Sequence, residues 1–429
     1  MKRKIENYLS WWKGLGKEKM PLLIHGARQI GKTYAIREFG KLHYENTLYL
    51  NFETEPALAH LFNDSISPQK LISKIEHYYS QTATPGKTLI IFDEIQSCNR
   101  ALTSLKYFCE DAREYDIIGA GSLLGVHINS NEYSFPVGKV ISKTMYPLDF
   151  EEFLWESDKA VFSEQIEESF RFNKPLEQTL HDSLLTLYNA YLLVGGMPLA
   201  VYNYNKRDTI LKYGDIQKTI IDTYTSDMAK YSDRTQSLKT IMTYDSIVPQ
   251  LAKDNKKFQY KLIAKGARAS LFGESIDWLV KAGIVLKCEK IKNGALPPNI
   301  TKDLSAFKLY MGDIGLCCHK AGLTASNMTV FDNSFMGGIT ENYVANTLVA
   351  NDYDLSYWES DAKAEVDFII VKAGRNIPLE VKSNTNTRSY SLNAYMKKYS
   401  PEYAIRISKK NFGFENNIKA VPLYAAYLI

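Results

Sequence analysis

The sequence predicts an α/β protein that opens with a parallel sheet and ends in a second α/β region. Three observations carry that reading. Between residues 20 and 150, apolar runs of strand length (PLLIH, TLYLNFE, TLIIFDE and YDIIGAG) alternate with helical stretches, the pattern of strands covered on both faces by crossover helices. The first of those strands runs into GARQIGKT and then into another helical stretch. After about residue 330, a helix is followed by three strand-like runs, LSYW, EVDFIIV and IPLEVKS, then by another helix and strand.

Composition bounds the rest. At 429 residues, 45% hydrophobic and 23% charged, the chain is too long for one typical core and too apolar for disorder, so two to four domains are expected. A net charge of +4 permits a nucleic-acid partner without demanding one. No run of about 18 apolar residues occurs, and the opening MKRKIENYLSWWKG turns polar and aromatic where a signal peptide would be apolar. A cytoplasmic protein with no membrane partner is expected. The five cysteines, Cys98, Cys109, Cys288, Cys317 and Cys318, lack paired metal-ligand spacing, which predicts reduced thiols, no disulfide and no zinc.

GARQIGKT fits G-x-x-x-x-G-K-[ST] between a strand and a helix, the context in which backbone N–H groups wrap phosphate oxygens at a helix N-terminus. Gly26, Ala27, Arg28, Gln29, Ile30, Gly31, Lys32 and Thr33 are therefore predicted to bind ATP. Lys32 reaches the β- and γ-phosphates and the Thr33 hydroxyl ligates Mg2+. TLIIFDE ends in Asp93 and Glu94. An acid at a strand end is commonplace alone, but after a phosphate loop Asp93 reads as the Mg2+ holder and Glu94 as the group that orients or deprotonates the attacking water. Ser122, at the end of the next strand, is a candidate sensor of the γ-phosphate, with an ordinary loop serine as the equal alternative.

From Asp149 the pattern turns helical, with GGMP interrupting the second stretch, and a helical lid fits that position. Between about 235 and 325, helical runs, a basic patch and IDWLVKAGIVLKCEKI read as a winged-helix module. Lys253, Lys256, Lys257, Lys261, Lys265 and Arg268 stand against one acid, Asp254. Such clustered cations suit contact with DNA phosphates, a solvated face being the plainer reading.

PLLIHGARQIGKT, LNFE, IFDEIQ, GAGSLLGV, SFPVGKV, MYPLDFEEFL and VGGMP together resemble the bacterial and archaeal AAA-type ATPases that carry a C-terminal domain of formerly unknown function. The resemblance spans nearly the whole chain. It implies an ASCE-type P-loop core over 1–150, a helical lid over 151–234, a winged helix over 235–325 and a restriction-endonuclease-like domain over 326–429. Many relatives have arginine where this chain has Lys139, which would supply charge without the bidentate fork. No arginine finger is assigned; Arg234 is a candidate for one, a solvated surface arginine being the plainer reading. A homo-oligomer is compatible with the sequence but not specified by it.

Period-two alternation puts Glu380 and Lys382 of IPLEVKS on one face. If KAGRN turns the chain between antiparallel strands, Asp367 lies across from them. Asp367, Glu380 and the Val381 carbonyl can then hold Mg2+, Lys382 can steady the attacking water, and Glu341 on the preceding helix can add a third carboxylate. Acid-x-lysine alone is common surface chemistry. With Asp367 upstream and Glu341 on a helix, the set resembles the PD-(D/E)xK nuclease core. The leading expectation is thus an ATPase coupled to a nuclease-like domain acting on DNA. The alternatives are a regulatory ATPase whose distal domains only bind partners, and an ATP-switched DNA-binding regulator.

Overall fold

In the computed structural model the chain divides into two compact units, Met1–Tyr146 and Pro147–Ile429. The structure describes all residues except 123–135, 207–208, 231–232, 295–296, 329–332, 361–363 and 386–389, and excepting the side chains of 333 and 334.

The N-terminal unit is built on β1 (Leu22–His25), β2 (Asn46–Asn51), β3 (Thr88–Asp93), β4 (Asp116–Gly121) and β5 (Ile141–Thr144), in the order β2-β3-β4-β1-β5. All neighbouring pairs are parallel. β3 and β4 are buried along their whole length, which is why they read as nearly continuous apolar runs. The edge strand β5, ISKT, is only half-buried and has too few apolar residues to stand out in the sequence. Helices α1 (Ile5–Lys13), α2 (Lys32–His43), α3 (Pro68–Tyr79) and α4 (Asn99–Asp111) complete the unit. α4 buries Ala101, Leu102, Leu105 and Phe108, a helical stripe that joins Leu48, Leu50 and Phe92 in one core. Phe52, Phe62 and Phe92 pack edge to face with centroids 5.6 to 6.0 Å apart. That aromatic cluster braces the residue immediately before Asp93.

The second unit starts with seven helices among the described residues: α5 (Phe150–Glu156), α6 (Val161–Phe172), α7 (Gln178–Val194), α8 (Pro198–Asn205), α9 (Tyr213–Lys230), α10 (Arg234–Leu251) and α11 (Ala269–Lys281). Asp149 and Glu152 form a reciprocal capping box at the start of α5. The expected break at GGMP separates α7 from α8. α11 turns at Gly283 (φ +71°) into β6 (Val285–Ile291), which pairs antiparallel with β7 (Lys302–Met311). α12 (Ile314–Lys320) and α13 (Asn333–Ala350) follow, then β8 (Ser356–Glu359), β9 (Glu365–Val366), β10 (Phe368–Lys372), β11 (Arg375–Val381), α14 (Tyr390–Tyr399), β12 (Ala404–Ser408), β13 (Gly413–Glu415) and β14 (Ile418–Pro422).

These strands form two sheets, β7-β6-β8-β9 and β10-β11-β12-β14-β13. EVDFIIV, expected as one strand, is divided between them. Glu365 and Val366 pair with β8, whereas Phe368 onward pairs with β11. The division falls at Asp367, whose carboxylate accepts the Val381 N–H at 2.8 Å. A side chain there occupies a donor that a regular ladder would give to backbone. The β6–β7 hairpin is also continued by β8, parallel to β6. All five cysteines are buried and unpaired. No helix among the described residues is long and apolar enough to cross a membrane.

Gly195 and Gly196 hold the α7–α8 break against α12. Asp313 caps α12 by accepting the Leu316 N–H at 2.9 Å, and its other oxygen accepts the Gly196 N–H at 2.7 Å. The Gly196 carbonyl in turn accepts the Leu148 N–H at 2.7 Å. A Cβ on Gly196 would lie 2.0 Å from the Leu148 carbonyl oxygen, whereas a Cβ on Gly214 in α9 would meet nothing within 4 Å. Gly196→Ala should therefore lower stability by about 1–3 kcal/mol, the cost of overpacking. Gly214→Ala should be neutral or raise stability by up to about 1 kcal/mol. Chemical denaturation of both variants measures the difference, and equal midpoints would remove this steric argument.

Candidate functional site

β1 and β3 flank β4 in a parallel sheet, so their carboxyl ends open on the same edge, where such sheets bind ligands. The loop after β1 is shaped by backbone only certain residues tolerate. Gly26 has φ +145° and Gly31 φ +88°, and Gln29 is left-handed at φ +65°. A Cβ on Gly26 would lie 2.2 Å from the Met145 carbonyl oxygen. The loop delivers Lys32 as the first residue of α2. Lys32 is buried, and its ammonium donates to the carbonyls of Gly26 (3.0 Å) and Ala27 (2.7 Å). Burial lowers its pKa to about 8, against the opposing pull of Glu94 and Asp93.

The acids sit where the sequence predicted. Asp93 Oδ2 accepts the Thr33 hydroxyl at 2.8 Å, and Asp93 Oδ1 accepts the Glu94 N–H at 3.0 Å. Glu94 is left-handed at φ +48°, which turns the chain sharply at the strand end. Its carboxylate accepts the Gln96 amide at 2.6 Å and the Ser122 hydroxyl at 3.2 and 3.3 Å. Ser122, the candidate phosphate sensor, is thus placed on the candidate base. Arg28 lies 3.7 Å from Glu53. Lys139 pairs with Glu110 at 2.9 Å, and Arg234 is exposed at the start of α10.

Four further residues belong to this site and were not read from the sequence. Arg3 is buried and grips the loop from behind, donating to the carbonyls of Ile30 (2.9 Å) and Tyr146 (2.8 Å). Tyr49 donates to Asp93 at 2.6 Å, Asn51 donates to Tyr49 at 3.0 Å, and Gln96 holds Glu94. For Tyr49 and Asn51 the signal was available: they end β2, adjacent to β3, with Asn51 opposite Asp93. Arg3 carried none.

The residues fit a Mg2+–nucleotide. The loop offers phosphate-binding N–H groups at the start of a twelve-residue helix. Thr33 and Asp93 supply two oxygen ligands, as expected for a cation that otherwise uses water and phosphate oxygens.

In the second unit the antiparallel register pairs Phe368 with Leu379, which sets Asp367 across from Glu380 as predicted. Lys382 lies 3.2 Å from Glu380, and Arg406 on β12 lies 3.5 Å from its other oxygen. Among the described residues, however, no three acidic, histidine or cysteine side chains gather to hold a metal. Protein cations and donors take up oxygens of Glu341, Asp367 and Glu380. Lys256 pairs with one oxygen of buried Glu341, while the other receives Lys308 at 3.5 Å and the Tyr310 hydroxyl at 3.2 Å. Lys308, with no exposed side chain, also meets Glu365. Burial opposes ionisation of Glu341, but the two lysines outweigh it and hold its pKa below the usual range. Burial, then Glu341, pushes Asp367 up to about 7.

The basic stretch divides. Lys256 turns to Glu341 and Lys257 to Glu359, so both are paired with carboxylates of the chain. Lys253, Lys261, Lys265 and Arg268 remain exposed.

Residues 18–154 match a family described as an AAA domain. Residues 185–327 and 336–426 match two families, each described as a domain of unknown function. Comparison with curated proteins gives no match. Among solved structures, the chain is similar to a Walker-type ATPase of Pyrococcus abyssi, at 15% identity over 75% of this chain and 95% of that one, with a TM-score of 0.44. It is also similar to the ORC1 protein of Aeropyrum pernix in complex with DNA (12% identity, 75% and 91% covered, TM-score 0.30) and to AMPPCP-bound DnaA of Aquifex aeolicus (15%, 66% and 90%, 0.30). At those TM-scores the likeness carries no argument, and the weight rests on the family match and the loop geometry. On that basis the N-terminal unit is an AAA-type P-loop ATPase domain.

Proposed function

We propose that this protein hydrolyses ATP in its N-terminal unit and that the nucleotide cycle acts on a nuclease-like second unit that engages DNA. The observation that carries the first half is the convergence of Lys32 and Thr33 on Asp93 and Glu94. The loop N–H groups bind phosphate oxygens, and Lys32 leaves the Gly26 and Ala27 carbonyls to meet phosphate. Thr33 and Asp93 would hold Mg2+, which neutralises phosphate charge when bound. Glu94 receives the proton of the attacking water, after Gln96 and Ser122 release its carboxylate.

Support for the second half is the order of α13, the β8–β9 and β10–β11 hairpins, α14 and β12, with Asp367 across from Glu380 and Lys382 two residues on. Metal at that centre requires Lys256 to leave Glu341. One observation favours the rival reading, a regulatory ATPase whose second unit only binds partners: Glu341 and Glu380 already have cationic partners.

Lys32→Ala should abolish Mg2+-dependent ATP binding in calorimetry. Glu94→Gln should retain binding and lose about 100-fold or more in turnover, the scale of a lost general base. A wild type that binds no ATP would sink the ATPase reading.

With Mg2+ or Mn2+, with and without ATP, the wild type should cut at least one of plasmid, linear duplex, single-stranded DNA or RNA. Asp367→Ala should cut none while keeping ATPase activity. If the wild type cuts nothing, or Asp367→Ala cuts equally well, the regulatory reading replaces the nuclease.

Neutralising Lys261, Lys265 and Arg268 together should weaken DNA binding at every sequence and flatten the log–log salt dependence by about one per cation. An unchanged slope would take this stretch out of the interface.

A further inference from the structure

We propose that Tyr49 is a positioning residue for the cation side of the ATP site, fixing the Asp93 carboxylate through a hydrogen-bond chain that starts in the loop after β2. The inference rests on the reading of the N-terminal unit as a Mg2+–ATP site.

The direction of every donor in the chain is determined. Asn51 Oδ1 accepts the backbone N–H groups of Glu53 (3.0 Å) and Thr54 (2.9 Å). That assigns the amide: its oxygen faces the loop and its NH2 faces Tyr49, where Nδ2 donates to the phenol oxygen at 3.0 Å. With its oxygen so engaged, the phenol donates its own proton to Asp93 Oδ2 at 2.6 Å. The ring is fixed as well. The Arg37 guanidinium, on α2, lies 4.8 Å from its centroid, and Tyr79 donates to the Tyr49 carbonyl at 2.6 Å.

Thr33 and Tyr49 both donate to Asp93 Oδ2, yet they are not equivalent. Thr33 is itself needed as a cation ligand, so its hydroxyl serves two partners. Tyr49 has only the carboxylate to serve and holds it regardless of what Thr33 does. Outer-shell donors of this kind orient ligating carboxylates, and removing one typically lowers metal affinity 10- to 100-fold. The same chain ties the site to the phosphate loop, because Glu53, whose N–H begins the chain, also lies beside Arg28.

The test is a Mg2+ titration of the full-length protein with a fluorescent, non-hydrolysable ATP analogue, together with a titration in EDTA. Tyr49→Phe should raise the Mg2+ concentration for half-saturation about tenfold, leaving the affinity in EDTA unchanged. Asn51→Ala keeps the phenol but removes its orienting donor, and should shift the half-saturation in the same direction by less. Unchanged Mg2+ dependence in both variants overturns the proposal, as does equal weakening with and without Mg2+, which marks a merely structural residue. If Tyr49→Phe shows no cooperative thermal melt, the Asn51→Ala shift decides. A wild type that binds the analogue under no condition removes the ATP-site reading itself, an outcome distinct from a Tyr49 variant that behaves like wild type.

Discussion

Asp93 accepts hydrogen bonds from Thr33 on α2, from Tyr49 on β2 and from the backbone of Glu94, so three segments take their position from one side chain. The carboxylate is nearly inaccessible to water, and a buried charge is tolerable only when donors satisfy it. Lys32, beside it, is held by carbonyl oxygens of its own loop. Loop, strand end and candidate base are thereby tied into one hydrogen-bonded cluster. Holding the Asp93 carboxylate in this way preorganises the cation side of the site, which leaves Lys32 and Glu94 as the groups that change partners.

The second unit solves a related problem differently. Lys308 has no exposed side-chain surface and Glu341 almost none. Removing such charges from water costs several kcal/mol per ion, and a buried pair is weak evidence for stability. Here the ions are linked rather than isolated: Lys256, Lys308 and Tyr310 meet Glu341, and Glu365 meets Lys308. Close backbone packing brings Lys256 into place, since the Leu251 carbonyl oxygen would lie only 2.2 Å from a Cβ on Gly338 of α13. The glycine is what allows α10 to end against the helix that carries Glu341.

Much of this was legible in the sequence because it is local. The four strands with continuous apolar runs, the phosphate loop, the acids at the end of β3 and the helix break at GGMP all follow from short stretches with strong signals. The placement of Asp367 across from Glu380 followed from one short turn and the alternation of side chains. What escaped depends on contacts between distant positions. Lys256 and Glu341 are 85 residues apart, and a lysine bound for a buried carboxylate looks the same in sequence as one bound for solvent. That is why Lys253 to Arg268 read as a single basic patch, although two of its members turn inward. The division of EVDFIIV had a similar cause, because the acid that bends the strand does so by capturing an N–H fourteen residues away. Arg3 and Gln96 act through individual side-chain hydrogen bonds that leave no periodic trace.

The continuation of the β6–β7 hairpin by β8 bears on how this chain can be cut. Residues 356–358 lie in register beside 289–291, so β6 owes one of its two neighbours to sequence 67 residues further on. A fragment ending near residue 325 would leave β6 with a bare row of N–H and C=O groups, a template for pairing with another copy. Excision at the apparent seam would therefore yield a self-associating piece rather than a tractable module, and dissection of this protein is better begun at the junction between Tyr146 and Pro147.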